Sequence, residues 1–312
     1  MSEGPHTPRV RAAAAGARAV TEAELTKQPA RVLMKNRLFR LFLFAAVGIA
    51  LIGLIALLID AFVEGQGRLS LDLITNSTSR IADQAGFKQA ILGSLYLIGL
   101  MVLMVVPVGV GAAIYLEEYG NRESRLNRII EVNIQNLAAV PAIVYGILGL
   151  GFIVRDPINL GFMLFAGAIT LGLLVLPTVI IAAREAIRAV PPSIREGSLA
   201  LGATQRQTIW RQVLPAALPG ILTGIILAVS RALGEAAPLL LFGAAVFVTA
   251  DPQAFNPDVG WTALPVQIFQ LAADPQEELR ELAAAGIIIM LAVLLLMNSF
   301  AIWLRNRYEQ KW

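Results

Sequence analysis

Arg231 and Glu235 are ionisable residues placed four apart inside a long apolar run. On a helix that spacing puts both on one face, about 6 Å apart along the axis. Counted from Ala216, Arg231 lies roughly 22 Å into such a helix, or about 18 Å counted from Pro219, at or beyond the middle of a bilayer. An ionised side chain at that depth costs from about 2.5 to well over 10 kcal/mol, so something has to offset it. Two readings fit the spacing. The arginine fork donates parallel hydrogen bonds to two oxygens of an oxyanion, and the carboxylate competes for the fork and permits release. Alternatively, the two residues form a structural ion pair that pins their helix to its neighbours.

Other chemistries lack their residues. The 312-residue chain has no cysteine, which removes disulfides, thiolate nucleophiles and zinc–sulfur sites. Its one histidine, His6, stands in a polar tail, so neither a histidine metal site nor a Ser-His-Asp machine is expected. Lys27, Lys35, Lys88 and Lys311 follow Thr, Met, Phe and Gln, so no Gly-Lys-Ser/Thr phosphate loop is present. No cofactor is expected in this chain, and any ATP and magnesium would belong to a partner.

The elements that position the pair are membrane helices. Hydrophobic residues make up 57% and charged residues 15%, an excess too large for an aqueous core to hide. A span needs about 20 apolar residues. Leu41 to Ile59 is the first, and five more lie near 90–116, 129–154, 158–183, 216–248 and 282–304. The last-but-one of these is longer than a bilayer requires. The second to fifth contain Pro107, Pro141, Pro177 and Pro238, which a membrane bundle tolerates. With six spans, 19 of the 25 Lys and Arg fall on one side and 5 on the other, Arg231 lying inside a span. The positive-inside rule therefore places both termini in the cytoplasm. Residues 1–37 read as a polar, basic, mobile cytoplasmic tail, or alternatively as a surface-lying amphipathic helix or regulatory arm, and 38–312 as the transmembrane domain. Gly220 and Gly224 form a small-xxx-small pair, which permits close helix approach without naming the partner. Glu131, Asn133, Gln135 and Asn136 open the third span at its cytoplasmic entry or line a path.

The longest cytoplasmic loop, 184–215, begins as a helix that Pro191 and Pro192 stop. Ser193 with Glu196 has capping-box spacing, and a second short helix starts near Thr204 after Gly202. The result is a compact knob. Its Glu196-Gly197-Ser198, three residues, Gly202, nine residues, then Gln212-Val213-Leu214-Pro215 resembles the EAA loop of ABC importer permeases. Glu196, Gly202, Leu214 and Pro215 match that pattern, whereas Gly197, Ser198 and Gln212 depart from it.

The segments Ala217-Leu218-Pro219-Gly220, Arg231-Ala232-Leu233-Gly234-Glu235-Ala236-Ala237-Pro238-Leu239 and Ala138-Ala139-Val140-Pro141 are similar to those of A-type permease subunits of phosphate-specific transport. So is the outer run Ala263-Leu264-Pro265-Val266. The resemblance covers roughly residues 38–312. It implies an all-α integral membrane protein with six transmembrane helices in the type I ABC importer permease fold, and a role in inorganic phosphate import. It also implies that Arg231 and Glu235 line the substrate path, and that Glu196, Gly197, Ser198, Gly202, Ala203, Leu214 and Pro215 form the ATPase coupling loop. The implied partners are two ATPase subunits, a homologous C-type permease and an extracytoplasmic phosphate-binding protein, with no nucleic acid; the setting is a bacterial or archaeal plasma membrane. The acidic loop 249–281 would repel a free anion, which suits delivery by a docked carrier; alternatively its charges serve only solvation and topology. The rival expectations are a permease for sulfate, molybdate or phosphonate, a secondary anion carrier, and a membrane scaffold.

Overall fold

The computed structural model describes residues 30–308 apart from 122–123, 242–243 and 245–246. It is helical, with no strand among the described residues. Two compact units divide the chain, 1–60 and 61–312. Helix α1, Ala30–Gly65, supplies the described part of the first. It starts inside the stretch expected to be a polar tail; the rest of that stretch, 1–29, lies outside the described residues.

The second unit carries α2 (Asp72–Thr75), α3 (Lys88–Ile114), α4 (Arg125–Ala138), α5 (Ala142–Leu148) and α6 (Leu164–Arg188). These are followed by α7 (Pro192–Ala200), α8 (Gln205–Thr208), α9 (Leu214–Leu233), α10 (Ala237–Leu241), α11 (Leu264–Ala272) and α12 (Glu277–Tyr308). Three helices are extended by widened π turns: α3 by Tyr115–Tyr119, α5 by Gly149–Val154 and α8 by Ile209–Val213. Among the described residues five helices are long and apolar enough to cross a membrane, and six crossings result if the bent pair α4–α5 counts as one.

That pair departs from the expected straight third span. It bends by 103° between Ala138 and Ala142. Pro141 cannot donate to the carbonyl four residues back, and the residue before it is pushed out of the helical region. Pro107 and Pro177, by contrast, sit inside α3 and α6. The fifth span also stops short. Helix α9 ends at Leu233, and Pro238 lacks the N–H that a continuous helix would direct at the carbonyl of Gly234.

The core is built around α3 and α6, which pack along most of their length. Leu97, Met101 and Val105 of α3 meet Leu171, Leu174 and Val175 of α6, joined by Ala232 and Leu233 of α9 and Leu239 of α10. Helix α9 reaches α6 through glycine: a Cβ on Gly220 or Gly224 would collide with Ala186 or Ala182. The small-residue pair thus has α6 as its partner.

Candidate functional site

The knob is two short helices joined by a tight turn. Helix α7 begins with Pro192 at its first position, where a missing N–H is harmless and φ is preset. Ser193 is therefore not the cap, and the expected capping box with Glu196 does not form. The box falls one helix later instead: Thr204 caps α8, with its hydroxyl accepting from the Gln207 N–H and the Gln207 side chain accepting from the Thr204 N–H. Between the helices, Gly202 adopts φ +83°, a region that side chains disfavour. Ser198 and Thr208 bring their hydroxyls within 2.9 Å and tie α7 to α8.

The expected coupling residues divide among three places. Gly197, Ser198 and Ala203 line one hollow of about 500 Å3 with Ile194, Leu201 and Gln207. Leu214 and Pro215 line a separate apolar groove of about 910 Å3 between α3 and α9. Glu196 lies in neither and is exposed, and Gly202 makes the turn. At the tip Leu201 is 90% exposed, beside exposed Leu199. A knob with this much uncovered apolar surface, outside the spans, is shaped to be covered by another protein.

Arg231 and Glu235 are arranged differently from expectation. Arg231 occupies the last turn of α9 and is exposed. Glu235 lies beyond Gly234, where the helix has ended, so the two residues do not share a helix face. No ion pair or side-chain hydrogen bond joins them among the described residues. One residue before Arg231, the Ser230 hydroxyl, with one proton to give, stands within hydrogen-bond distance of both Asn298 Oδ1 of α12 and the Ile226 carbonyl, at 2.5 and 2.7 Å. Asn133, Gln135 and Asn136 are exposed on α4, away from the interior of this chain.

A charged cluster at the root of the knob was not anticipated. Glu117, its side chain 2% exposed, sits 2.9 Å from Arg184 and 2.7 Å from Arg188; Arg184, 9% exposed, also reaches Glu131 at 3.0 Å. The neighbouring Glu118 pairs with Arg195 of α7 at 2.7 Å. The widened turn at the end of α3 lets two consecutive carboxylates meet partners on different elements. Their adjacency after an apolar run, in a loop otherwise counted for its basic residues, was the available signal. At the other end of the bundle, Lys88 pairs with Asp251, and Arg68 with Asp83 and Glu281. Asp258, Glu277 and Glu278 are exposed there and make no ion pair among the described residues. Among the described residues no group of three or more His, Cys, Asp or Glu could hold a metal ion.

A bundle of apolar spans bearing an exposed docking knob defines the class: a membrane transport subunit that works with partners. Residues 105–310 match the family described as binding-protein-dependent transport system inner membrane component, and the chain belongs to that family. It is 35% identical over 267 residues to the phosphate transport system permease protein PstA of Haemophilus influenzae, covering 85% of this chain and 92% of that one. PstA of Yersinia pestis is 35% identical over 270 residues, covering 86% and 88%. PstA 1 of Mycobacterium tuberculosis is 33% identical over 252 residues, covering 78% of each.

Among solved structures, a bacterial alginate ABC transporter in complex with a pentasaccharide-bound periplasmic protein superposes with TM-score 0.64 at 17% identity, covering 89% and 96%. The inward-facing MetNI methionine ABC transporter gives TM-score 0.54 at 16% identity, covering 72% and 95%. These likenesses establish the type I importer permease fold expected from the sequence. The chain is a multi-pass plasma-membrane permease, a transport subunit rather than an enzyme.

Proposed function

We propose that this chain is the transmembrane permease subunit of an ATP-driven, binding-protein-dependent importer of inorganic phosphate, and that it forms half of the translocation path. The observation that carries the reading is Arg231. It is a permanent cation at the end of a membrane span, and it is left exposed by the rest of its own chain. Such a group does not face lipid. A second membrane subunit, the homologous C-type permease, covers it and completes a passage in which the guanidinium meets the anion. The phosphate permeases to which the chain is 32–35% identical support the choice of anion.

In this reading two ATPase subunits grip the 184–215 knobs on the cytoplasmic side and bind the ATP and magnesium. Their closure rocks the paired bundles and opens the path to a loaded phosphate-binding protein on the opposite face. The exposed carboxylates Asp258, Glu277 and Glu278 there meet basic groups of that carrier. Residues 38–312 form the permease domain and 1–37 a cytoplasmic extension.

Vesicles holding the complete assembly test the reading with labelled phosphate and sulfate. ATP-dependent accumulation of phosphate over sulfate is expected, reduced in Arg231→Gln and Glu235→Gln assemblies while ATP hydrolysis persists. Full uptake by both variants would leave the two residues a structural role. Accumulation by this chain alone, without the ATPase, would make it a secondary carrier.

A further inference from the structure

Movement received by the knob can enter the bundle by two routes. One is covalent, since α8 runs on into α9. The other passes through Arg195. This residue of α7 uses all three guanidinium nitrogens. Nε and Nη2 lie 3.1 and 2.7 Å from Glu118 Oε1, and Nη1 and Nη2 donate to the carbonyls of Val190 and Ile187 at 2.6 and 2.9 Å. The carboxylate side is 9% exposed and the arginine 23%, so the bond is largely shielded from water. From α8, Gln205 Nε2 donates to the backbone carbonyl of Glu118 at 2.6 Å. Both knob helices thus hold one residue of a helix that lies more than seventy positions earlier in the chain.

That helix leads to the far end of the bundle. From Glu118, α3 runs to Lys88, where the chain meets the segment 247–264. Lys88 pairs with Asp251, Gln89 Nε2 donates to the Thr249 carbonyl at 3.2 Å, and Ser94 Oγ accepts from the Leu264 N–H at 2.9 Å. Close packing against α6 keeps α3 from yielding sideways, so displacement at one end travels along its axis.

We infer that Arg195 is a positioning residue which, through Glu118, transmits displacement of the knob to α3 and along it to the 247–264 segment at the opposite face. The inference rests on the importer reading above for the source of the displacement. The charge-assisted contact suits the task, because the guanidinium that grips Glu118 is itself held by the Val190 and Ile187 carbonyls and so resists rotation as well as separation. Glu118→Gln is the cleaner variant, since it spares the bonds from Arg195 to the carbonyls that end α6. Arg195→Lys keeps the charge and loses the fork.

The complete assembly is tested in vesicles, with phosphate uptake and ATP hydrolysis measured side by side. Uptake per ATP falls about tenfold in Glu118→Gln and in Arg195→Lys, while hydrolysis stays within about twofold of the unaltered assembly. The double variant is no worse than either single one, because one contact is being removed. An unchanged uptake-to-hydrolysis ratio in both variants, or parallel loss of both activities, overturns the inference. A second readout does not depend on the cargo. The chain has no cysteine, so in an assembly whose partner subunits are also made cysteine-free a spin label on Leu95→Cys reports only the far end of α3. Its ATP-induced shift is expected in the parent and absent in Glu118→Gln; a shift that survives the substitution sinks the inference. Failure of the unaltered assembly to accumulate phosphate would overturn the proposed cargo while the label still tests the transmission.

Discussion

Ser230 Oγ on α9 stands 2.5 Å from Asn298 Oδ1 on α12, one residue before the exposed Arg231. A polar pair between two membrane helices fixes their rotation, because no competing water lies on the lipid side. Replacing Asn298 with Ala is expected to lower the stability of the purified assembly by about 0.6–1.7 kcal/mol. Thermal unfolding in detergent measures this, and uptake should fall in the same variant because the register of Arg231 loosens.

The contact of α9 with α6 is a matter of volume. Gly224→Leu has no room beside Ala182 and is expected to cost about 1–3 kcal/mol, seen as less folded protein in the membrane. Gly99 on α3 has open space around it, so Gly99→Ala should be neutral or stabilising by up to about 1 kcal/mol.

The root of the knob holds charges that depend on one another. Removing the carboxylate of Glu117 by Glu117→Ala leaves Arg184 and Arg188 to share what remains, and a loss of about 3–5 kcal/mol is expected. Glu185, 64% exposed and paired to Arg188 at 3.4 Å, serves as the contrast. Its change to Ala should cost less than about 1 kcal/mol. Thermal shifts of the two variants, measured in one buffer, decide between a buried network and a surface one.

Leu201 gives a prediction about association rather than folding. With 90% of its surface uncovered, Leu201→Asp leaves the chain's own packing intact. Co-purification of the ATPase subunits should drop at least about tenfold, in keeping with an apolar anchor at the centre of an interface. Retention of the ATPase by this variant would place the contact elsewhere.

How much of this was legible in the residues depends on whether a feature is local. Apolar runs mark spans because transfer from water is additive along a helix, and the knob's turn is announced by Gly202 and the Thr204 cap. The pair Gly220–Gly224 declared close packing but could not name Ala186 and Ala182, which lie 34 and 42 positions away. The end of α9 was hidden because Arg-Ala-Leu-Gly-Glu is compatible with helix, and only Pro238 forbids its continuation. Ser193 competed with a better starter, a proline at the first helical position. The Glu117 and Glu118 partners sit 67 to 77 positions downstream, where no periodicity reports them. Sequence thus exposed what each segment prefers, and concealed which segments meet.

The stretch from Gln205 to Leu233 is one helix of 29 residues, with the docking surface near its start and Arg231 near its finish. From Gln205 to Arg231 it measures roughly 39 Å. Tilting it by about 10° about the Gln205 end would sweep the guanidinium through roughly 7 Å, on this rise per residue. A swing of that size exceeds the diameter of a small tetrahedral oxyanion. In the importer proposed above, a small tilt imposed at the knob end would therefore be enough to carry Arg231 past a bound anion.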